Sequence, residues 1–217
     1  MNSNLSSKYG ILLDVDGVLI DSYAAFQSVW GSWASRHNLD FDLVWRATHG
    51  KRPVDTIRDV APHVDAEEEC LHLQHLASSP QLNFPAIEGA GGFLRSFPPE
   101  LWALVASGHE EQVRKRFNKA RLPQPIHIVD GLQVSKGKPR PECYELGAKK
   151  LGLNCDQCLS VEDAPAGIDA ALAAGCYVVA ISTTHDVSSL VHAHVTVGSL
   201  MEARLEIDQW VSDVMNA

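Results

Sequence analysis

The stretch Asp14-Val15-Asp16-Gly17-Val18-Leu19-Ile20-Asp21-Ser22 places two carboxylates two residues apart, at the end of the apolar run 9–14. The run predicts a buried strand. Open α/β sheets bind ligands at the carboxyl ends of their strands, and Gly17 permits a sharp turn there. Two like charges this close are costly to bury unless a cation or a proton compensates them. The stretch therefore predicts a ligand site; the alternative is an Asp-rich turn or a helix cap before Ser22.

The rest of the chain alternates between apolar runs and helical patterns. Strands are predicted at 101–106, 126–129, 158–161 and 176–181, with a last short one near 194–197. Helices are predicted at 110–120, 141–151 and 165–174, and from about residue 200 onward. Strands and helices alternating at this spacing are typical of βαβ units. We therefore expect an α/β fold with a Rossmann-like parallel sheet.

One segment interrupts this alternation directly after the first strand. Between about residues 22 and 85 the sequence shows helical patterns, clearest at 24–36 and 66–77, and no convincing strand. The segment is too long for a simple connecting loop. We therefore predict a helical insert at 21–85, called the cap below, within a core formed by residues 1–20 and 86–217.

Three further polar motifs come at or after the ends of predicted strands. Ser107-Gly108 offers a hydroxyl and free N–H groups to an anion, or it is an ordinary N-cap. Lys138 lies between prolines at a helix start, where the dipole disfavours a cation; it is otherwise a solvated lysine. Glu162-Asp163 either caps the next helix or completes a hard-cation site with the first carboxylates.

Taken together and in this order, the four motifs resemble those of the haloacid dehalogenase (HAD) superfamily of phosphatases and mutases. The match covers nearly the whole chain, and an insert after the first motif resembles the members with a small α-helical cap. Within them, the chain is most similar to sugar- and polyol-phosphate phosphatases of the glycerol-3-phosphatase and 2-deoxyglucose-6-phosphatase type. The residues that carry this likeness are His49-Gly50-Lys51-Arg52 with Asp55-Thr56-Ile57, Trp102-Ala103, Ser107-Gly108, Gly137-Lys138-Pro139 with Pro141-Glu142, and Glu162-Asp163-Ala164-Pro165-Ala166-Gly167-Ile168.

The resemblance implies Mg²⁺-dependent hydrolysis of a phosphomonoester. Asp14 would attack phosphorus to give an aspartyl-phosphate. Asp16 would protonate the leaving alkoxide and then activate the water that hydrolyses this intermediate. The remaining implied roles are metal binding by Asp14, the Asp16 carbonyl and Asp163, with Glu162 in support, and phosphoryl binding by Ser107, Gly108 and Lys138.

Departures from the family pattern limit what is carried over. Phe26 stands where the mutases typically have a proton-transferring His, which favours a hydrolase over a mutase. His109-Glu110 replaces the Thr-Arg pair of the similar phosphatases, so substrate preference should differ. A dehalogenase is disfavoured because that branch lacks the second acid, Asp16.

Three cap residues before Pro53, His49, Lys51 and Arg52, are expected in a loop facing the cleft, where they would select a polyol or a second anionic group. The alternative is solvated loop charge. A catalytically silent binding protein of the same fold is the rival from another functional class.

Composition restricts the partners. The 217 residues include 18 basic and 27 acidic side chains, a net charge of −9 that argues against nucleic acid or an anionic membrane. No window approaches the roughly 18 to 20 apolar residues of a membrane span. Residues 1–8 lack the apolar core of a secretory signal, and five cysteines suit a reducing compartment. We expect a cytoplasmic monomer acting on a small phosphorylated metabolite.

Overall fold

The computed structural model describes residues 9–216. The expectation about a signal sequence at residues 1–8, and the beginning of the 1–20 core segment, lie outside the described residues. The strands are β1 Gly10–Leu13, β2 Trp102–Val105, β3 His127–Val129, β4 Cys158–Glu162, β5 Tyr177–Ile181 and β6 Val195–Val197. The α-helices are α1 Tyr23–Arg36, α2 Phe41–Thr48, α3 Pro53–Val60, α4 Ala66–Ala77, α5 Ala90–Arg95, α6 Glu110–Lys119, α7 Glu142–Lys150, α8 Pro165–Ala174 and α9 Leu200–Asn216.

The six strands form one parallel sheet in the order β3-β2-β1-β4-β5-β6. This arrangement confirms the predicted Rossmann-like α/β fold. The order reverses at β1, which pairs with β2 on one side and with β4 on the other. Ligands bind in such sheets at the carboxyl ends of the strands beside this reversal. The fold therefore directs attention to the loops that follow β1, β2 and β4.

Helices cover both faces of the sheet. Successive strand residues point to opposite faces, so Leu13 packs in a cluster with Phe117 of α6 and Ile207 of α9. Leu12 instead packs in a second cluster with Tyr144 of α7 and Ile168 of α8. Because both faces are covered, all four residues of β1 are buried, which explains why the sequence reads as an unbroken apolar run.

The segment between β1 and β2 begins with four helices, α1 to α4, which have a hydrophobic cluster of their own. Trp33 is fully buried in it, and its indole N–H donates to a carboxylate oxygen of Glu69 over 2.8 Å. Asp40 and Asp65 accept hydrogen bonds from backbone N–H groups and so cap the starts of α2 and α4. The short helices α2 and α3 add to the two helices that the sequence indicated most clearly.

Two linkers that run side by side connect the cap to the core. The N–H of Asp21 donates to the carbonyl of Pro85 over 2.9 Å, and the N–H of Ile87 donates to Leu19 over 3.0 Å. The division of the chain at residues 20/21 and 85/86 stays a prediction, and these paired linkers support it.

Candidate active site

The candidate site lies where the sheet order reverses, between the cap and the core. Asp14 directly follows β1, and its N–H donates to Val161 of β4 over 3.0 Å. Glu162 ends β4 and Asp163 follows it. Parallel neighbours carry these acids to the same edge of the sheet, and all three are buried. Within residues 9–216 they form the only cluster in which three potential ligand side chains have donor atoms within 4.8 Å of one another.

Lys138 joins this cluster from the segment before α7. Its ammonium group lies 2.5 Å from an oxygen of Asp14, 2.5 Å from an oxygen of Glu162 and 3.3 Å from the carbonyl of Val105. Glu162 also accepts a hydrogen bond from the hydroxyl of Tyr144. Burial opposes the charge on Lys138, but Asp14 and then Glu162 outweigh it and raise the pKa of the lysine. Lys138 is therefore a fixed ammonium ion at the carboxylates, and not a solvated surface lysine.

The cluster carries more negative charge than Lys138 offsets. Three carboxylates face one ammonium group in a buried site. Burial is the main cause that raises the pKa of Asp14 and of Asp163 above the usual carboxyl range, and the neighbouring carboxylates add to it. A divalent cation would balance the two remaining charges, and carboxylate oxygens are the donors that Mg²⁺ prefers. The donor set therefore fits Mg²⁺.

Two glycines allow the acids to approach so closely. Gly17 has a φ of +88°, and a Cβ there would lie 2.0 Å from a carboxylate oxygen of Asp163. Gly167 lies in the first turn of α8, and a Cβ there would lie 2.1 Å from the carboxylate of Glu162. The hydroxyl of Thr184, which also lies close to Gly17, donates to Asp163. Sequence reasoning did not find Thr184, which lies in a loop with no pattern of its own.

The predicted phosphate loop follows β2. The Ser107 hydroxyl donates to the backbone carbonyl of Gly50, a cap residue, over 3.0 Å. The loop is held by the buried Asp130, which follows β3 and accepts from the N–H groups of Glu110 and Leu132 at 2.9 and 3.0 Å. Sequence reasoning missed Asp130, although the rule that singled out the other strand ends applies to it too.

Asp16 has a cationic partner, Arg116, that was not predicted from the sequence. Its carboxylate accepts a hydrogen bond from the guanidinium of Arg116, a buried residue of α6. Arg116 follows Val113 by three residues and precedes Phe117, so it lies on the apolar stripe of the helix. A cation on an apolar stripe is the signal by which the sequence could have revealed it.

A cavity of about 150 Å³ lies between these groups and the cap. Its floor includes Asp14, Asp16 and Ser107, and its cap side includes Phe26 and His49. The remaining lining residues are Gly17, Ser22, Tyr23, Trp30, Trp45, Thr48, Gly50, Lys51, Pro53, Gly108, Arg116, Asp163, Ala164, Thr184 and His185. A second cavity of about 510 Å³ adjoins it and shares Phe26, Ser107 and Arg116 with it.

The cap residues predicted to select the substrate make different contacts. His49 faces His185 of the core, with ring nitrogens 2.8 Å apart, and its buried Nε2 has no partner. Burial, with a smaller effect of His185, lowers the pKa of His49 to about 4, so its ring is neutral at pH 7. Lys51 lines the cavity but pairs with Asp59 at 3.0 Å.

Arg52 lines the larger cavity between the cap and the core, but its donors are already taken. Its guanidinium pairs with Asp55 and donates to the carbonyls of Gly131, Val134 and Ser135 in the core. It is buried and lines the 510 Å³ cavity but not the 150 Å³ one, and Asp55 and these carbonyls together saturate its donors. Arg52 therefore connects the cap to the core.

His109 and Glu110, which we expected to affect specificity, also lie outside the 150 Å³ cavity. The ring of His109 contacts the Gln74 amide at the cap, and the carboxylate of Glu110 pairs with Arg114 on its own helix. The structure thus brings Asp14, Lys138 and the two acids after β4 together. Arg52 and His109 line the adjoining 510 Å³ cavity, whereas Glu110 lines neither of these two cavities.

Comparisons with known proteins agree with this geometry. A model of the haloacid dehalogenase-like hydrolase family matches residues 10–175. Hexitol phosphatase A of Escherichia coli is 36% identical over 196 residues, which cover 88% of this chain and 91% of that protein. Glycerol-1-phosphate phosphohydrolase 1 of Saccharomyces cerevisiae is 32% identical over 192 residues, covering 82% and 76%. A hydrolase structure from Pseudomonas syringae superposes with a TM-score of 0.82 at 22% identity, covering 93% and 98% of the chains, which shows the fold alone.

None of the helices in residues 9–216 has the length and hydropathy needed to cross a bilayer.

Proposed function

This chain belongs to the haloacid dehalogenase-like hydrolase family as a phosphoric monoester hydrolase, and we propose that it is a Mg²⁺-dependent phosphatase of small sugar or polyol phosphates. The observation that carries the proposal is the buried cluster of Asp14, Glu162 and Asp163 around the single ammonium of Lys138. Burying like charges this closely is costly, and a nucleophilic carboxylate beside a cation site accounts for the arrangement.

The reaction proceeds in two steps on the carboxylates after β1. A carboxylate oxygen of Asp14 forms a bond to phosphorus while the bond to the substrate alkoxide breaks. Asp16 gives its proton to that alkoxide, and the alcohol leaves. The Asp16 carboxylate then takes a proton from water, whose oxygen attacks phosphorus, so that inorganic phosphate is released and Asp14 is restored.

Other residues of the cluster stabilise charge in both steps. Asp14, the carbonyl of Asp16 and Asp163 would hold Mg²⁺, with Glu162 in support. When bound, this ion would reduce the repulsion between the anionic nucleophile and the anionic substrate. Lys138 neutralises charge on Asp14 and on the transferring group, and Glu162 with Tyr144 fixes its position. Ser107 and the N–H of Gly108 bind the phosphoryl oxygens.

The cap supports a hydrolase with a small, singly phosphorylated substrate. Phe26, which cannot transfer protons, lines the cavity at the place where a mutase needs its His. The cations Lys51 and Arg52 are both ion-paired, so neither offers a free site for a second phosphate. The unpartnered Nε2 of His49 suits a hydroxyl of the leaving group. We therefore propose that His49 selects polyol monophosphates, and that Lys51, while it is paired with Asp59, leaves a second phosphate without a partner. The effect of His109 and Glu110 on specificity, a monomeric state and a cytoplasmic location stay predictions.

Phosphate release from a panel of sugar, polyol, nucleotide and bisphosphate substrates tests the proposal. We expect turnover of polyol and sugar monophosphates with Mg²⁺, and loss of that turnover with EDTA. The Asp14→Asn variant should be folded and inactive, and Asp208→Asn, at an exposed ion pair with Arg204, serves as a matched surface control. Release of phosphate by Asp14→Asn would show that Asp14 is not the nucleophile. A β-phosphoglucomutase assay run in parallel would reveal isomerised sugar phosphate in place of free phosphate if the enzyme were a mutase.

A further inference from the structure

Arg116 has a defined place beside the proposed acid Asp16. It lies on α6, which begins just after the phosphate loop, and the carbon of its guanidinium lies near two aromatic rings. In residues 9–216 its hydrogen bond to Asp16 is the only one that the Asp16 carboxylate makes with a side chain. The side chain of Arg116 is 10% exposed and that of Asp16 is 29% exposed, so the pair lies at the wall of the cavity, largely protected from solvent.

The two aromatic rings belong to the cap side of the molecule. The guanidinium carbon of Arg116 lies 5.6 Å from the ring centre of Phe26, on α1, and 5.4 Å from that of Phe84, on the returning linker. The two rings also contact each other edge to face, with centres 5.6 Å apart. A guanidinium over aromatic faces is held by cation–π attraction as well as by packing. These two rings thus help to hold the guanidinium of Arg116 in place.

A donor fixed on one oxygen of Asp16 has a chemical consequence. Because the guanidinium donates to Oδ1, the other oxygen is the one that carries the proton to the leaving group and later receives a proton from water. The guanidinium also stabilises the carboxylate that remains once the proton has gone. Both effects therefore concern only the steps in which Asp16 gives or receives a proton.

We propose that Arg116 is a positioning residue, which orients the Asp16 carboxyl group for proton transfer. The inference rests on the proposed function. Under this inference Arg116 acts through Asp16 alone. The loss of activity on replacing Arg116 should therefore depend on how much the leaving group needs a proton.

Two substrates separate this role from a structural one. The alkoxide of a polyol phosphate needs a proton to leave, whereas p-nitrophenolate leaves readily without one. The quantity kcat/KM reports only the steps up to formation of the phosphoenzyme, so the later action of Asp16 on water does not enter. We expect Arg116→Met to lower kcat/KM for a polyol phosphate about 100-fold, within the range for general acid catalysis, and for p-nitrophenyl phosphate less than about threefold. Arg116→Lys should recover part of the polyol phosphate activity.

Matched variants complete the experiment. Asp16→Asn should show the same substrate-selective loss, and Arg116→Met should add nothing to it. Lys115→Met, on the exposed side of the same helix, should leave both substrates unaffected. Equal losses of Arg116→Met on both substrates, or no loss on either, would overturn the inference. If Arg116→Met does not fold, Arg116→Gln is tested in the same way, by its loss of kcat/KM for the polyol phosphate relative to its loss for p-nitrophenyl phosphate. If the parent enzyme does not hydrolyse the polyol phosphate, the proposed function fails. If Asp16→Asn loses both substrates equally, Asp16 is not the general acid and this inference fails with that role; if only the Arg116 variants lack the selective loss, this inference fails alone.

Discussion

Replacing Gly167 by Ala tests how tightly the buried acids are packed. Gly167 is a helical residue, and Ala at such a position usually adds about 0.5–1 kcal/mol of stability. Here the added Cβ would lie 2.1 Å from the Cδ and one oxygen of Glu162, and 2.2 Å from the other oxygen. Overpacking of a core typically costs about 1–3 kcal/mol. The clash outweighs the helix preference, so we expect Gly167→Ala to lower the free energy of unfolding by roughly 1–2 kcal/mol.

Urea unfolding of the whole protein measures this difference, and Gly92→Ala is the matched control. Gly92 lies inside α5, and a Cβ there would meet no atom within 4 Å outside its own helix, so this variant should gain about 0.5–1 kcal/mol. Displacement of Glu162 from Lys138 should also lower kcat of the Gly167 variant. If Gly167→Ala is as stable as the parent while Gly92→Ala gains stability, Glu162 does not lie against α8 and the described cluster is wrong.

Three further predictions concern the metal, the cap core and the pH dependence of stability. Mg²⁺ should raise the melting temperature in a fluorimetric scan by neutralising the carboxylates, and Asp163→Asn should lose most of this rise. Trp33→Phe removes the donor to the buried Glu69 and should lower the free energy of unfolding in urea by about 1–3 kcal/mol. Burial, then His185, holds the pKa of His49 at about 4, below the ordinary histidine value of 6.5, so the unfolded chain binds more protons between these values. Stability should therefore fall as pH falls from about 6.5 to 4, and urea titrations should show a smaller fall in His49→Gln.

Each of these predictions has a control or an outcome that contradicts it. Asp208→Asn, at an exposed ion pair with Arg204, should keep the full Mg²⁺ effect. Trp210→Phe, on the core helix α9, should cost less than Trp33→Phe. Identical pH profiles of the parent and His49→Gln would show that the histidine is not buried against the core.

The sequence predicts the core of the site well because each key residue follows an apolar strand or a stiff Pro-flanked turn. Asp14 and Asp163 could be located from the runs that precede them, and parallel strands necessarily bring such ends together. Arg52 could not be placed, because its direction depends on three carbonyls of a core loop that is distant in sequence. Arg116 was missed because a helix position says nothing of the partner across the cleft. Local pattern identifies strand ends, whereas cap-to-core contacts depend on tertiary packing.

The hydrogen bond from Ser107 to Gly50 has a consequence for product inhibition. A hydroxyl has one proton to donate, so the bond to the cap carbonyl and a bond to a phosphate oxygen exclude each other. Phosphate must displace the hydrogen bond between Ser107 and Gly50, which reduces its affinity. The same hydrogen bond forms again when phosphate leaves. We therefore expect an enzyme that releases its second product readily and tolerates the phosphate that accumulates around it.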